Sequence, residues 1–224
     1  MANGQVAALN YGMERLKELP LSLRLIKEMH AHLMNNAHGG NKQPGEFRAS
    51  QNWIGGTRPE NARFVPPPPD KLMACLDQFE KFLHDETIQL PAPVKAALAH
   101  LQFETIHSFL DGNGRLGRLL ITMILCVEGI LRDPVLYLSL YLKTHRNRYY
   151  DLLQSVRESG TWEDWIEFFL RGVIETSLGL PKQPKRLSSS SPKIALRLNK
   201  TDGQQRPPCR FIRLCSAARS SQQT

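Results

Sequence analysis

Twelve consecutive residues, HSFLDGNGRLGR from His107 to Arg118, hold the residue types that handle phosphate. One imidazole, one carboxylate, a Gly-Asn-Gly turn and two guanidiniums fall in a run too polar to bury without a heavy desolvation cost. Apolar helical patterns lie on both sides. The segment therefore reads as a reactive loop presented by a rigid helical scaffold.

Each residue type suggests a task. His107 follows a long helical pattern, and an imidazole can take a proton from a hydroxyl near neutral pH. Gly112, Asn113 and Gly114 directly precede a helix. Glycines there permit positive φ and let backbone N–H groups converge on an anion, and the helix N-terminus adds partial positive charge. Arg115 and Arg118, three residues apart, share one face of the first helical turn, and guanidinium forks suit phosphate oxygens. Asp111 has no structural partner at this spacing, and beside a polyphosphate a lone carboxylate suits Mg²⁺. Together the parts describe phosphoryl or nucleotidyl transfer. The run is neither a Walker A loop nor a complete GxGxxG fingerprint, since only Gly112 and Gly114 give GxG.

The elements that must position this loop are mostly helical. Residues 3–19 and 21–35 read as two helices parted by Pro20, and 36–46 as a loop. Residues 47–65 break the helical period around Gly55-Gly56 and read as a small hairpin or flap, which the prolines Pro66 to Pro69 end. Asp70 suits the N-cap of a helix over 71–84 with Leu72, Leu76 and Phe79 inward. Further helices are expected from Pro93 to Ile106, over 114–128, from Asp133-Pro134 to 145, over 146–158, and over 161–177. The last has Thr161 and Asp164 placed as a capping-box variant. Trp162, Trp165, Phe168 and Phe169 recur at helical spacing and read as core. No cluster of carboxylate or Cys partners surrounds His30, His32, His38, His84, His100 or His145, so these read as surface or half-buried histidines rather than metal ligands.

Charge separates the chain into two parts. Its 224 residues carry a net charge of +8. Residues 181–224 hold ten Lys/Arg and a single acid, Asp202, whereas residues 1–180 hold 19 basic and 20 acidic residues. Basicity therefore belongs to the tail, and nucleic-acid binding is expected only as non-specific attraction through it. From residue 178 apolar periodicity vanishes, and 178–224 reads as a disordered basic tail, or as the product of a frameshift. No transmembrane-length run or signal peptide is visible, so no membrane partner is expected. The four cysteines show no CxxC pairing. A cytoplasmic protein with reduced thiols is expected.

The run His107–Arg118 resembles the signature of the Fic family, His-x-Phe-x-Asp/Glu-Gly-Asn-Gly-Arg-x-x-Arg, at all eight defining positions. PGEFR at 44–48, NWIGG at 52–56 and RFVPPPP at 63–69 resemble the same family. The resemblance implies an all-α, Fic-type helical bundle with a small β-hairpin flap, here a domain over 1–177. It implies an adenylyltransferase that moves AMP from ATP to a Tyr, Thr or Ser hydroxyl of a target protein, with pyrophosphate leaving. His107 would be the base and Asp111 the Mg²⁺ ligand. Gly112, Asn113 and Gly114 would cradle the phosphates, Asn113 also donating to the α-phosphate. Arg115 and Arg118 would hold the β- and γ-phosphates, and Phe109 would anchor the loop. Asn52, Trp53, Ile54, Gly55 and Gly56 would form the flap on which a target chain docks as an added strand.

Two departures and two alternatives accompany this reading. Ser108 stands where the family often has Pro. The family's inhibitory Ser/Thr-x-x-x-Glu-Gly/Asn motif is not found upstream of the flap, because no Ser or Thr precedes Ser22. The same scaffold running another reaction (a different nucleotide, AMP removal or phosphotransfer), or a truncated non-catalytic Fic-fold protein, are the competing functions. Oligomeric state is left open.

Overall fold

The computed structural model describes residues 2–34, 42–87, 89–132 and 138–177. The basic tail, the expected Asp133-Pro134 helix start and most of the 36–46 loop lie outside the described residues, as do Cys209 and Cys215.

The described chain is helical, as expected. Helices α1 (Ala2–Arg15) and α2 (Leu23–Met34) form a pair. Tyr11 Oη and Arg15 Nε both donate to Glu28 Oε2, at 3.0 and 3.2 Å. The α1 pattern was expected to reach residue 19, but the helix ends at Arg15 and residues 16–19 continue as hydrogen-bonded turns. Helix α3 (Pro69–Leu83) buries Leu72, Leu76 and Phe79 as expected. Its N-cap is Pro68, not Asp70, which instead lies in the first turn. A proline ring preset at φ near −65° begins the helix two residues earlier than the capping argument indicates.

Helix α4 (Ala92–Ile106) is buried on every face from Ala96 to Ile106, which makes it the central element. Helix α5 (Asn113–Val127) lies antiparallel to it. Lys95 Nζ near the start of α4 pairs with Glu128 Oε1 just after the end of α5 at 2.6 Å, while Gly117 near the start of α5 meets the end of α4. A Cβ on Gly117 would lie 2.6 Å from Glu104 Oε1, so glycine sets the close approach of the two helices. Helices α6 (Leu138–Thr144), α7 (Arg146–Ser159) and α8 (Trp162–Ser177) close the bundle. Trp165 and Phe169 are fully buried, and the indole N–H donates to Ala97 O at 3.0 Å. At the start of α8 the Thr161 hydroxyl pairs with Ser155 Oγ at 2.6 Å, so it ties α8 to α7.

Residues 47–65 differ from the expected hairpin. Among the described residues no strand forms. The segment is closed by one antiparallel bridge, with Ile54 N–H donating to Phe64 O at 2.8 Å and Phe64 N–H to Ile54 O at 3.1 Å. A short 3₁₀ turn, Pro59–Asn61, takes up the residues between. Asn61 Oδ1 accepts from Thr57 N–H and Arg58 N–H, and this side-chain turn replaces a second ladder pair. No helix among the described residues is long and apolar enough to cross a membrane.

Candidate functional site

The site begins where α4 stops. His107 caps α4 in the left-handed region, at φ 50° and ψ 59°, an arrangement that costs a non-glycine residue roughly 1 kcal/mol or more. Neighbouring groups hold it there. Its N–H donates to Phe103 O at 3.0 Å, and its carbonyl accepts from Arg48 Nε at 3.0 Å. Arg48 is 2% exposed, its backbone N–H reaches Ser108 O at 2.9 Å, and its guanidinium also donates to Ser50 O and Pro67 O. Burial pulls the Arg48 pKa down to about 10, which still leaves it charged near neutrality.

Beyond His107 the loop is held carbonyl by carbonyl. Phe109 is fully buried, and its ring stacks on His30 with centroids 3.8 Å apart. Asn52 Nδ2 donates to Phe109 O at 3.2 Å. Asn113 is 2% exposed and grips Phe109 twice: Oδ1 accepts from Phe109 N–H at 2.9 Å and Nδ2 donates to Phe109 O at 2.7 Å. His30 Nε2 lies 3.0 Å from Asp111 O, and His30 Nδ1 accepts from Gly45 N–H at 2.9 Å. A nitrogen that accepts from an amide carries no proton, so His30 is neutral and donates through Nε2. Its pKa is lowered, chiefly by burial.

The phosphate side follows from this frame. Gly112 is the residue before α5, at φ 82°, and a Cβ there would meet His30 Nε2 and Met34 Sδ at 3.1 Å. Helix α5 starts at Asn113, one residue earlier than the sequence suggests, so Asn113 and Gly114 belong to its first turn with N–H groups unpaired within the helix. Asp111 is half exposed, accepts from Gly112 N–H at 2.6 Å, and lies 3.6 Å from Arg115 Nη2. Among the described residues no cluster of three His, Cys, Asp or Glu could hold a metal. A single exposed carboxylate therefore fits Mg²⁺ only where phosphate oxygens complete the coordination. Arg118 is half-buried on the same turn. A Cβ on Gly114 would lie 3.5 Å from Arg118 Nη1 and 3.7 Å from Glu104 Oε1.

His107 is half-buried, and its Nδ1 is buried without a hydrogen bond. Burial, followed by the charges of Arg157 and Arg48, pulls its pKa to about 4. The ring is thus unprotonated near neutral pH. Arg157 of α7 joins the end of α4 to the flap: Nη2 donates to Glu104 O at 3.0 Å, Nε to Thr105 Oγ1 at 3.1 Å, and the guanidinium carbon lies 3.9 Å from the centre of the Phe64 ring.

All the motif residues named from sequence therefore meet at the junction of α4 and α5. Asn52 contacts the motif loop, whereas Trp53 is 40% exposed and Ile54 forms the bridge to Phe64. Sequence reasoning missed Arg48, Glu104 and Arg157. It also read His30 and His100 as surface or half-buried, whereas both are fully buried. His100 Nδ1 donates to Gly117 O at 3.0 Å and Nε2 accepts from Tyr149 Oη at 2.9 Å. The available signal was composition: His100 interrupts the apolar run AALAHLQF, and His30 follows the inward Met29.

This fold is one that Fic-family structures share. Residues 20–125, just under half of the chain, match the sequence model of the Fic/DOC family. The chain is 38% identical over 139 residues to the "Protein adenylyltransferase Fic" of Aedes aegypti, covering 62% of this chain and 25% of that one. With the Drosophila erecta protein of the same name it shares 34% over 144 residues, 64% of this chain and 26% of the other. The chain thus spans about a quarter of the length of these curated relatives. The fold matches a Fic family protein of Desulfovibrio desulfuricans with a TM-score of 0.62 at 21% identity, covering 80% of this chain and 55% of that one. It also matches Fic-1 of C. elegans with a TM-score of 0.57 at 24% identity, covering 79% and 51%.

Proposed function

We propose that this domain transfers AMP from ATP to a hydroxyl of a target protein and releases pyrophosphate. The observation that carries the reading is the neutral His107 imidazole, held five residues ahead of Gly112 and the start of α5. A base must be unprotonated when the hydroxyl arrives, and burial keeps it so. The relatives named protein adenylyltransferase support the same chemistry.

His107 takes the proton of the incoming Tyr, Thr or Ser hydroxyl as its oxygen attacks the α-phosphorus. The backbone N–H groups at Asn113 and Gly114 face the phosphates with the partial positive charge of the α5 N-terminus behind them, and Gly112, whose N–H is held by Asp111, opens the turn. The Asn113 amide has both its functions on Phe109, so its part is to shape this cradle, with its backbone N–H available to phosphate. Arg115 and Arg118 hold the β- and γ-phosphates and offset charge on the departing pyrophosphate. Asp111 would hold Mg²⁺, which would supply charge neutralisation on the phosphates.

The target docks on Asn52, Trp53, Ile54, Gly55 and Gly56. Only Ile54 is bridged in this segment, which leaves neighbouring backbone groups for pairing with an extended peptide. Cys75 and Cys126 form no disulfide, in keeping with a cytoplasmic location. The test is incubation with cell lysate and ATP labelled at the α- or the γ-phosphate. Label transfer from α only, abolished by His107→Ala, is expected. Transfer from γ would replace this reading with phosphotransfer.

A further inference from the structure

Among the described residues Glu104 is the one buried acid, and the proposed transfer does not use it. It is 6% exposed, in the last turn of α4, three residues before His107. Its Oε1 is buried without a hydrogen bond. It lies against the missing side chains of both α5 glycines, 2.6 Å from a Cβ on Gly117 and 3.7 Å from one on Gly114. Arg118 Nη1 approaches the same point above Gly114, at 3.5 Å. A Cβ at 114 would therefore come within 4 Å of both the carboxylate and the guanidinium.

Of the other groups around Glu104, Arg157 is the one whose charge opposes its burial. Arg157 of α7 faces it, but the guanidinium hydrogen bonds run to the Glu104 carbonyl and the Thr105 hydroxyl. Tyr149 of α7 has its hydroxyl on His100, and both rings are uncharged: burial pulls His100 to about 3 and pushes Tyr149 well up. Arg118 is half-buried and has no ion-pair partner within 4 Å among the described residues. Burial raises Glu104 to about 7, with Arg157 and Arg118 opposing.

We propose that Glu104 is a positioning residue for Arg118, the buried anion whose charge draws the guanidinium until a nucleotide phosphate takes it, and that Glu104 takes up a proton when that happens. The inference rests on the nucleotide reading above. Once phosphate oxygens engage Arg118, the buried carboxylate keeps only Arg157 against it, and with less opposing charge its protonated form is favoured further. Nucleotide affinity and proton binding are then linked, and the affinity for ATP falls as pH rises above 7.

Titration calorimetry of the full chain with ATP and Mg²⁺ at pH 8, in buffers of different ionisation enthalpy, tests this. At pH 8 the nucleotide's own phosphates are ionised and do not contribute uptake. Net proton uptake is expected for the native chain at pH 8, its loss at pH 5.5, and its loss at both pH values in Glu104→Gln. That variant keeps the side-chain shape and should still bind ATP. A binding enthalpy independent of buffer in the native chain, or uptake persisting in Glu104→Gln, overturns the proposal while leaving the nucleotide reading intact. Failure of the native chain to bind ATP at all overturns both.

Discussion

The Asn113 side chain pairs with the Phe109 backbone as a strand neighbour would, accepting from its N–H at 2.9 Å and donating to its carbonyl at 2.7 Å. One amide thereby closes the loop that carries Ser108 to Gly112 onto the first residue of α5. Arg48 at His107 O and His30 at Asp111 O complete the frame, so alternate carbonyls at 107, 109 and 111 are held by side chains. The loop is rigid because its backbone is paired. Its reactive side chains owe nothing to that pairing.

Asn113→Ala should therefore damage stability and activity together. Phe109 N–H and C=O would both lose a partner, and each buried unsatisfied group costs about 1–3 kcal/mol. A loss of roughly 2–4 kcal/mol in urea unfolding is expected, with AMP transfer close to background. Asn113→Asp keeps only the acceptor and should fall between the two. If Asn113→Ala unfolds at the native urea concentration, the pairing contributes nothing.

The depressed His107 pKa sets a pH profile. Transfer needs the unprotonated ring, so activity is held at pH values above the pKa and lost as pH falls through it. With a pKa near 4 rather than 6.5, kcat/KM should stay level down to about pH 5. Arg157 is the largest charge contribution after burial, so Arg157→Gln should move the acidic limb upward. An acidic limb centred at 6.5 in the native chain would show an ordinary, solvated imidazole.

Ser108 stands where the resemblance expects Pro, and its hydroxyl is fully buried with no hydrogen-bond partner. Ser108→Ala removes a desolvated polar group without leaving a large cavity. It should stabilise the chain by about 1 kcal/mol, or roughly 2–4 °C in Tm. An unchanged or lower melting midpoint would mean that the hydroxyl has a partner in solution.

How much of this was legible in the sequence depends on the range of the contacts. The helices were legible because their period is local, and the motif because its residues are consecutive. Boundaries slipped where caps compete, as at Pro69 against Asp70 and at Asn113 against Gly114. Arg48 was not legible as a latch, because its partner His107 O lies 59 residues away and is a backbone atom. His30 and His100 lie beside apolar residues, but that composition alone does not separate a buried, doubly bonded neutral imidazole from a solvated one. Glu104 read as an ordinary helical acid, since only the packing of α5 shows that Gly114 and Gly117 open onto it.

The same packing gives the domain a predictable response to alkali. Glu104 has a folded pKa of about 7 against an ordinary value near 4.5, so between these values the folded state binds a proton that the unfolded state has lost. Stability from this group accordingly falls as pH rises from about 4.5, and levels off above 7. His100 and His107 act oppositely. Their folded values of about 3 and 4 lie below 6.5, so the unfolded chain binds the extra protons and stability falls as pH drops below 6.5. The two effects together place maximum stability in the mildly acidic to neutral range. Glu104→Gln removes the first effect alone. It should raise the unfolding free energy at pH 8 by on the order of 2 kcal/mol and change it far less at pH 5, where Glu104 is already protonated. Denaturant unfolding of both chains at the two pH values gives the comparison, and an equal shift at both would assign the gain to packing rather than to charge.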